Sequence, residues 1–231
     1  MPRLPRACSA LLAALLLAPA AAPRAEPAAP ADGACAAAIA ERVQQRYDAV
    51  RDLRARFVQR TTSVALGNAP SAAIESRGEV LFAKPGRMRW SYESPEPSLV
   101  VSDGQTVWIH DPAAQEAQEL PLGPEFLSGA AIQFLLGDGR LADEFEIQAR
   151  GCGSPVVELL LTPRRDSSYE RLELRADAKS GEIRSTVVVD VLGNRTEVEL
   201  SELRANTRPA DRLFRFEPPE GTRVLTVPPL R

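Results

Sequence analysis

The amino-acid sequence predicts a mostly β protein in which only two segments are helical. Short runs rich in β-branched and aromatic residues recur at hairpin spacing, roughly ten or eleven in all, with turn residues between them. Apolar residues recur at helical spacing in two places, residues 32–51 and residues 123–139. Many short strands joined by tight turns indicate one large antiparallel sheet that curls.

The clearest strand signals lie in residues 78–111. Residues 87–92 alternate strictly between large apolar and polar side chains, as a strand with one buried face does. The Asp-Gly pair at 103–104 separates two β-rich runs, and this pair favours the positive φ angles that a tight hairpin requires. Both tryptophans, Trp90 and Trp108, belong to this block. The sheet is therefore expected to have a wide aromatic face that another element must cover.

The N-terminal residues read as an export signal. Residues 1–25 begin with basic side chains and continue into an apolar run, which is the pattern of a secretory signal peptide. The run is shorter than the ~20 apolar residues that a membrane-spanning helix needs. Cys8 precedes the run, whereas a lipid-modified cysteine would follow it. We expect residues 26–34 to form a flexible lead-in and residues 35–231 to form a single domain.

Composition and motifs argue against several classes of function. The formal charge of −3 becomes −6 once Arg3, Arg6 and Arg24 leave with the signal peptide, so nucleic acid is not an expected partner. No Walker loop, dinucleotide fingerprint or CxxC motif occurs, and no cofactor or metal is expected. His110 is the single histidine, and no pairing of a nucleophile with a base is visible. We therefore expect a binding protein and not an enzyme.

Two cysteines remain after removal of the signal peptide. In an exported protein, Cys35 and Cys152 are expected to form one disulfide, and two free thiols are the alternative. Cys152 lies in a Gly-Cys-Gly turn, where a flexible backbone can present a thiol to the end of a helix.

A set of short motifs in the central block is more specific than composition. They are Lys84-Pro85, Arg87-Met88-Arg89-Trp90, Val101-Ser102-Asp103-Gly104 and Trp108-Ile109-His110-Asp111-Pro112. In this order and spacing they resemble the periplasmic outer-membrane lipoprotein carrier family, LolA. Residues 47–59, 161–163 and 214–219 extend the similarity, which covers residues 36–227.

The resemblance implies both a fold and a function. The fold would be an incomplete, strongly curved antiparallel β-barrel, covered by the N-terminal helix and a short helical lid. The protein would be a periplasmic chaperone that takes lipoproteins, by their acyl chains, from the inner membrane to the outer membrane. Its partners would be an inner-membrane ABC lipoprotein exporter and an outer-membrane lipoprotein receptor, and it would act as a monomer. The alternative is a periplasmic binding module of the same fold for another lipid or for an envelope-stress signal.

Large apolar residues of the central block are the candidate lining of an acyl-chain cavity. They are Phe82, Met88, Trp90, Leu99 and Trp108. Strand alternation does not settle which face of the sheet points inward, and ordinary core packing is the alternative for each residue.

The second helical segment is the candidate lid, with a fixed core helix as the alternative. Its apolar residues are Leu127, Ile132, Phe134, Leu135 and Leu136. The resemblance implies that the residue before Pro85, commonly an arginine in the family, holds the lid closed by hydrogen bonds. Lys84 occupies that position here, so it is the candidate latch, and an exposed lysine at a strand end is the alternative.

Overall fold

The computed structural model describes residues 31–66, 73–122 and 139–226. The predicted signal peptide and the five candidate lid residues lie outside these ranges. Within them, no helix combines the length and the apolar character that crossing a bilayer requires.

Twelve strands and two α-helices make up this part of the chain. The strands are β1 (Asp52–Thr62), β2 (Ile74–Ala83), β3 (Arg87–Ser94), β4 (Ser98–Asp103), β5 (Thr106–Asp111), β6 (Glu116–Pro121), β7 (Phe145–Arg150), β8 (Val156–Pro163), β9 (Tyr169–Asp177), β10 (Ile183–Asp190), β11 (Arg195–Ala205) and β12 (Arg223–Thr226). The helices are α1 (Ala31–Asp48) and α2 (Leu141–Glu144), and short 3-10 turns lie at Val64–Leu66 and Asp211–Phe214.

All twelve strands belong to one sheet, in the order β12-β6-β5-β4-β3-β2-β1-β11-β10-β9-β8-β7. Neighbouring strands are antiparallel, except that β12 runs parallel to β6. The strands at the two ends of this order, β12 and β7, do not pair with each other, so the sheet stays open. The predicted fold class is confirmed, with one strand more than the upper expected number.

Helix α1 covers one face of the sheet, here called the inner face. Ile39, Val43 and Tyr47 recur every four residues, so they lie on one side of the helix. All three are buried and belong to the main apolar core, which also contains residues from β1, β2, β3, β8 and β9. The helix packs mainly against β7. The predicted first helix is thus confirmed, although it ends at Asp48, close to the start of β1.

A second, smaller apolar cluster covers the opposite face, here called the outer face. Phe214 is buried to 1% exposure against Leu81 and Ala83 of β2. The Arg87 guanidinium lies 5.0 Å from the centre of the Phe214 ring, and one of its nitrogens pairs with Asp211 at 2.7 Å. Residues 211–216, the C-terminal strap, are therefore fixed across the outer face of β2 and β3.

The two cysteines are joined, as the sequence predicted. Cys35 of α1 and Cys152 of the β7–β8 turn form a disulfide across 117 residues of sequence, with their Cα atoms 6.3 Å apart. Gly151 and Gly153 on either side of Cys152 have φ angles of 74° and 94°, a backbone region that favours glycine. The bond fixes α1 beside β7, the strand against which the helix packs.

We predict that the disulfide contributes strongly to the stability of the exported protein. Closing a loop of 117 residues removes chain entropy from the unfolded state worth about 4–5 kcal/mol. In protein without residues 1–25, dithiothreitol should lower the free energy of unfolding in urea by an amount of this order. A Cys35→Ser/Cys152→Ser protein is the matched control and should not respond to the reductant. Two thiols that alkylate before reduction would contradict the bond.

Candidate functional site: the apolar inner face of the sheet

Four aromatic rings meet on the inner face where β1, β2 and β3 lie side by side. The Phe57 ring lies 4.8 Å from Trp90 and 5.1 Å from Tyr92, both edge-on, and Phe82 lies 5.7 Å from Trp90. Edge-to-face contacts at these distances are favourable beyond the burial of apolar area. The Tyr92 hydroxyl donates to Gln59 Oε1 at 3.1 Å, so this polar group of the cluster has a partner. The result is a rigid aromatic surface.

Gly78 of β2 makes this packing possible. A Cβ atom there would lie 2.9 Å from two ring carbons of Phe57 and 2.0 Å from the carbonyl oxygen of Ser91. Both distances are shorter than non-bonded carbon contacts allow. Glycine therefore provides the space in which the Phe57 ring lies flat against the sheet.

The structure brings three of the five predicted cavity residues together on the inner face. Phe82 pairs with Met88 across β2 and β3, and both are 3% exposed within the main core. Trp90 follows Met88 by two residues and therefore lies on the same face. These three residues form one continuous apolar surface with the helix α1.

The prediction that Leu99 and Trp108 line the same face is wrong. Leu99 lies opposite Ser91, which is the neighbour of Trp90 in β3. Because neighbouring side chains of a strand point to opposite faces, Leu99 lies on the outer face. Trp108 lies opposite Val101, which puts it on the outer face, where its ring centre is 5.5 Å from that of Phe216. If the pairing of two strands moves by one residue, every side chain of the second strand changes face. The sequences of the turns do not show which of the two pairings forms.

Smaller aliphatic residues occupy the inner positions of β4 and β5. Val100 lies opposite Trp90 and Ile109 lies opposite Val100, and both pack against the main core, as does the fully buried Val107. Phe57 and Tyr92 also belong to this face, although the sequence did not single them out as site residues. Tyr92 shares the alternation of Met88 and Trp90, which could have identified it.

A separate cavity of about 310 Å³ lies between α1, α2 and β7. Its apolar lining includes Ala37, Ala40, Leu141, Phe145 and Ile147, and its polar lining is Glu41, Gln44, Arg140 and Arg164. Gln44 accepts a hydrogen bond from the Leu141 amide at 3.0 Å and donates one to Asp48 Oδ1 at 2.8 Å. The amide of Gln44 therefore fixes α1 to the start of α2, a role that the sequence did not indicate.

Lys84 bonds to the C-terminal end of α1. Its ammonium donates to the Tyr47 carbonyl oxygen at 2.5 Å, a favourable place for a cation at a helix terminus. Burial lowers the pKa of Lys84, and the nearby charge of Asp48 opposes this shift. The Tyr47 hydroxyl accepts a hydrogen bond from the Ile183 amide at 3.2 Å, and burial raises the pKa of Tyr47 to about 12. The predicted contact of Lys84 with the lid involves residues outside the described ranges.

The chemistry of this site is that of apolar contact. No group of three His, Cys, Asp or Glu side chains could hold a metal ion within the described parts of the chain. The aromatic cluster and the aliphatic residues of β4 and β5 form an apolar surface that suits a ligand with long apolar chains.

Comparison with known proteins assigns the family. The model of the family "Outer membrane lipoprotein carrier protein LolA" matches residues 48–217. An outer-membrane lipoprotein carrier protein of Methylibium petroleiphilum is 33% identical over 199 residues, covering 84% of this chain and 93% of that protein. Another of Dechloromonas aromatica is 31% identical over 176 residues, covering 76% of this chain and 81% of that protein.

A solved structure supports the fold. An uncharacterised conserved protein from Thermus thermophilus superposes with a TM-score of 0.51 at 12% sequence identity, covering 82% of this chain and 97% of that one. The family match spans the aromatic cluster, Lys84 and the strap. The chain belongs to the LolA family of outer-membrane lipoprotein carrier proteins.

Proposed function

We propose that this protein is a periplasmic carrier that shields the acyl chains of lipoproteins between the inner and the outer membrane. The observation that carries the proposal is the apolar inner face of an open sheet, which Phe57, Phe82, Met88 and Trp90 form beside α1. Membership of the lipoprotein carrier family supports the same cargo and the periplasmic location.

The energetic need for such a carrier follows from the hydrophobic effect. Each buried CH₂ group contributes ~0.8 kcal/mol, so exposing the acyl chains of one lipoprotein to water costs tens of kcal/mol. A carrier replaces this water with apolar side chains. The carrier must also release its cargo. Release is favoured if the protein's own apolar residues cover the surface when it is empty, because the cover then competes with the cargo.

Several parts of the proposal rest on the family alone. The donor would be an inner-membrane ABC lipoprotein exporter, the acceptor an outer-membrane lipoprotein receptor, and the carrier a monomer. Residues 123–139, whose apolar positions recur at helical spacing, would supply the lid over the inner face that the family implies. Cargo binding would then displace the lid.

We predict that acyl chains change the environment of Trp90 and leave that of Trp108 unchanged. Trp90 lies on the inner face and Trp108 on the outer face, so the two tryptophans act as reporters for opposite sides of one sheet. A synthetic triacylated lipopeptide should shift the tryptophan emission of the Trp108→Phe protein, in which Trp90 is the remaining tryptophan.

The Trp90→Phe protein is the matched control and should bind the lipopeptide in calorimetry with little change in emission. Emission that responds only through Trp108 would place the ligand on the outer face and contradict the proposed site. Binding of phospholipid but not of lipopeptide would support the alternative function as a carrier of another lipid.

A second prediction compares neighbouring residues on opposite faces. Val100→Asn puts an amide on the inner face, where an acyl chain cannot satisfy its hydrogen bonds, and should weaken lipopeptide binding about tenfold or more. Leu99→Asn changes the outer face and should leave the affinity within about twofold of the original. Calorimetry measures both affinities, and thermal melts confirm that both proteins are folded. Equal effects of the two substitutions would contradict binding on the inner face.

A third prediction concerns Lys84. Lys84→Leu removes the hydrogen bond to the Tyr47 carbonyl and should lower the free energy of unfolding by about 1 kcal/mol, since the ammonium is partly exposed. Lys84→Arg keeps a charged donor and should stay near the original stability. Urea denaturation measures this effect, and a transfer assay with purified acceptor measures hand-over of cargo. An altered rate of hand-over at unchanged stability would show that Lys84 acts as the lid latch and not as an anchor for α1.

A further inference from the structure

The last strand, β12, is held differently from the rest of the sheet. It is four residues long, and its pairing with β6 is the one parallel pairing among the described strands. Each of its residues is exposed, and its apolar Val224 and Leu225 are 43% and 38% exposed. Parallel pairing is slightly less stable per residue than antiparallel pairing, so β12 is weakly attached.

A turn separates β12 from the firmly packed strap. The strap is fixed by the buried Phe214 and by Phe216, whose ring centre lies 5.1 Å from that of His110. After Pro219 comes a turn in which Gly221 has a φ angle of 85°. The strap can therefore remain in place on the outer face while β12 leaves β6.

Side-chain contacts between β12 and β6 are few and lie near solvent. The Arg223 guanidinium, whose side chain is 71% exposed, pairs with Glu116, and the Thr226 hydroxyl donates to Glu119 Oε2 at 3.3 Å. Ion pairs at exposed positions contribute between about zero and 1 kcal/mol. Among the described residues, β12 is thus held on the β6 edge mainly by backbone hydrogen bonds.

We propose that the β6 edge is a docking site for an extended segment of a partner protein, which takes the place of β12. An uncovered strand edge presents a row of backbone donors and acceptors that another strand can complete. Glu116 and Glu119 add two carboxylates, so the segment that fits carries a basic residue opposite Glu116 and a donor side chain opposite Glu119. This inference does not depend on the nature of the cargo.

The pairing geometry favours a different protein over a second copy of this chain. β6 has six residues, of which β12 pairs with four. An antiparallel segment can pair beyond these four, as far as Leu120, and gains both length and geometry, whereas Pro121 has no amide hydrogen to donate. A β12 from a second copy offers only the same four parallel pairs as the chain's own β12. The chain's own β12 is tethered beside β6 at a high effective concentration, so the copy gains nothing that would displace it.

The test uses the full exported chain and a labelled peptide with the sequence of residues 222–227, TRVLTV. Arg223→Glu should repel Glu116 and loosen β12, so the amides of residues 224–226 should exchange with deuterium faster. The same protein should bind the peptide about fivefold more tightly than the original chain does. Arg223→Lys is the matched control and should behave like the original chain.

A charge swap between Glu116 and the peptide separates recognition of charge from a general loosening of β12. Glu116→Arg should bind a peptide with glutamate in place of the arginine and should reject TRVLTV. Two results would overturn the proposal: exchange at residues 224–226 that Arg223→Glu does not change, or peptide binding that ignores the charge at position 116. A dimer that exchanges β12 between copies, detected by light scattering, would replace the partner protein with a second copy and overturn it as well.

Discussion

Side chains alternate along each strand, and this gives the open sheet two apolar faces that need separate covers. The inner face carries the aromatic cluster and is covered by α1, which the disulfide and the Lys84–Tyr47 hydrogen bond fix at its two ends. The outer face carries Leu81 and Trp108 and is covered by the strap, through Phe214 and Phe216. The sheet does not close on itself, so stability depends on both covers.

The two faces of the sheet differ in the contacts that their side chains make. The outer cover is held by directional contacts, such as the bond from Arg89 to the Leu213 carbonyl and the pair of Arg87 with Asp211. On the inner face α1 is also fixed, by the disulfide and by the hydrogen bond from Lys84 to the Tyr47 carbonyl. The described contacts among the side chains of this face are mostly apolar, and other apolar groups can replace such contacts. A fixed framework with an apolar inner surface suits a protein whose ligand enters and leaves.

Local patterns predicted much of the fold. The alternation in β3, the Asp-Gly turn before β5 and the four-residue repeat of α1 each act within a few residues, and all three agree with the structure. Other features depend on partners distant in sequence. The face of Leu99 is set by its partner strand, Lys84 bonds to a carbonyl 37 residues away, and Gly78 is required by the Phe57 ring of another strand. Such contacts leave no local signal.

The central expectation is that this protein carries acylated polypeptides in the cell. Native mass spectrometry of the protein, isolated without detergent from the periplasm of its own bacterium, tests this claim most directly. We expect a fraction of the protein to carry one acylated polypeptide, released as a whole when the complex is activated in the gas phase. Protein that carries only free phospholipid, or no ligand at all while lipoproteins are being made, would contradict the account.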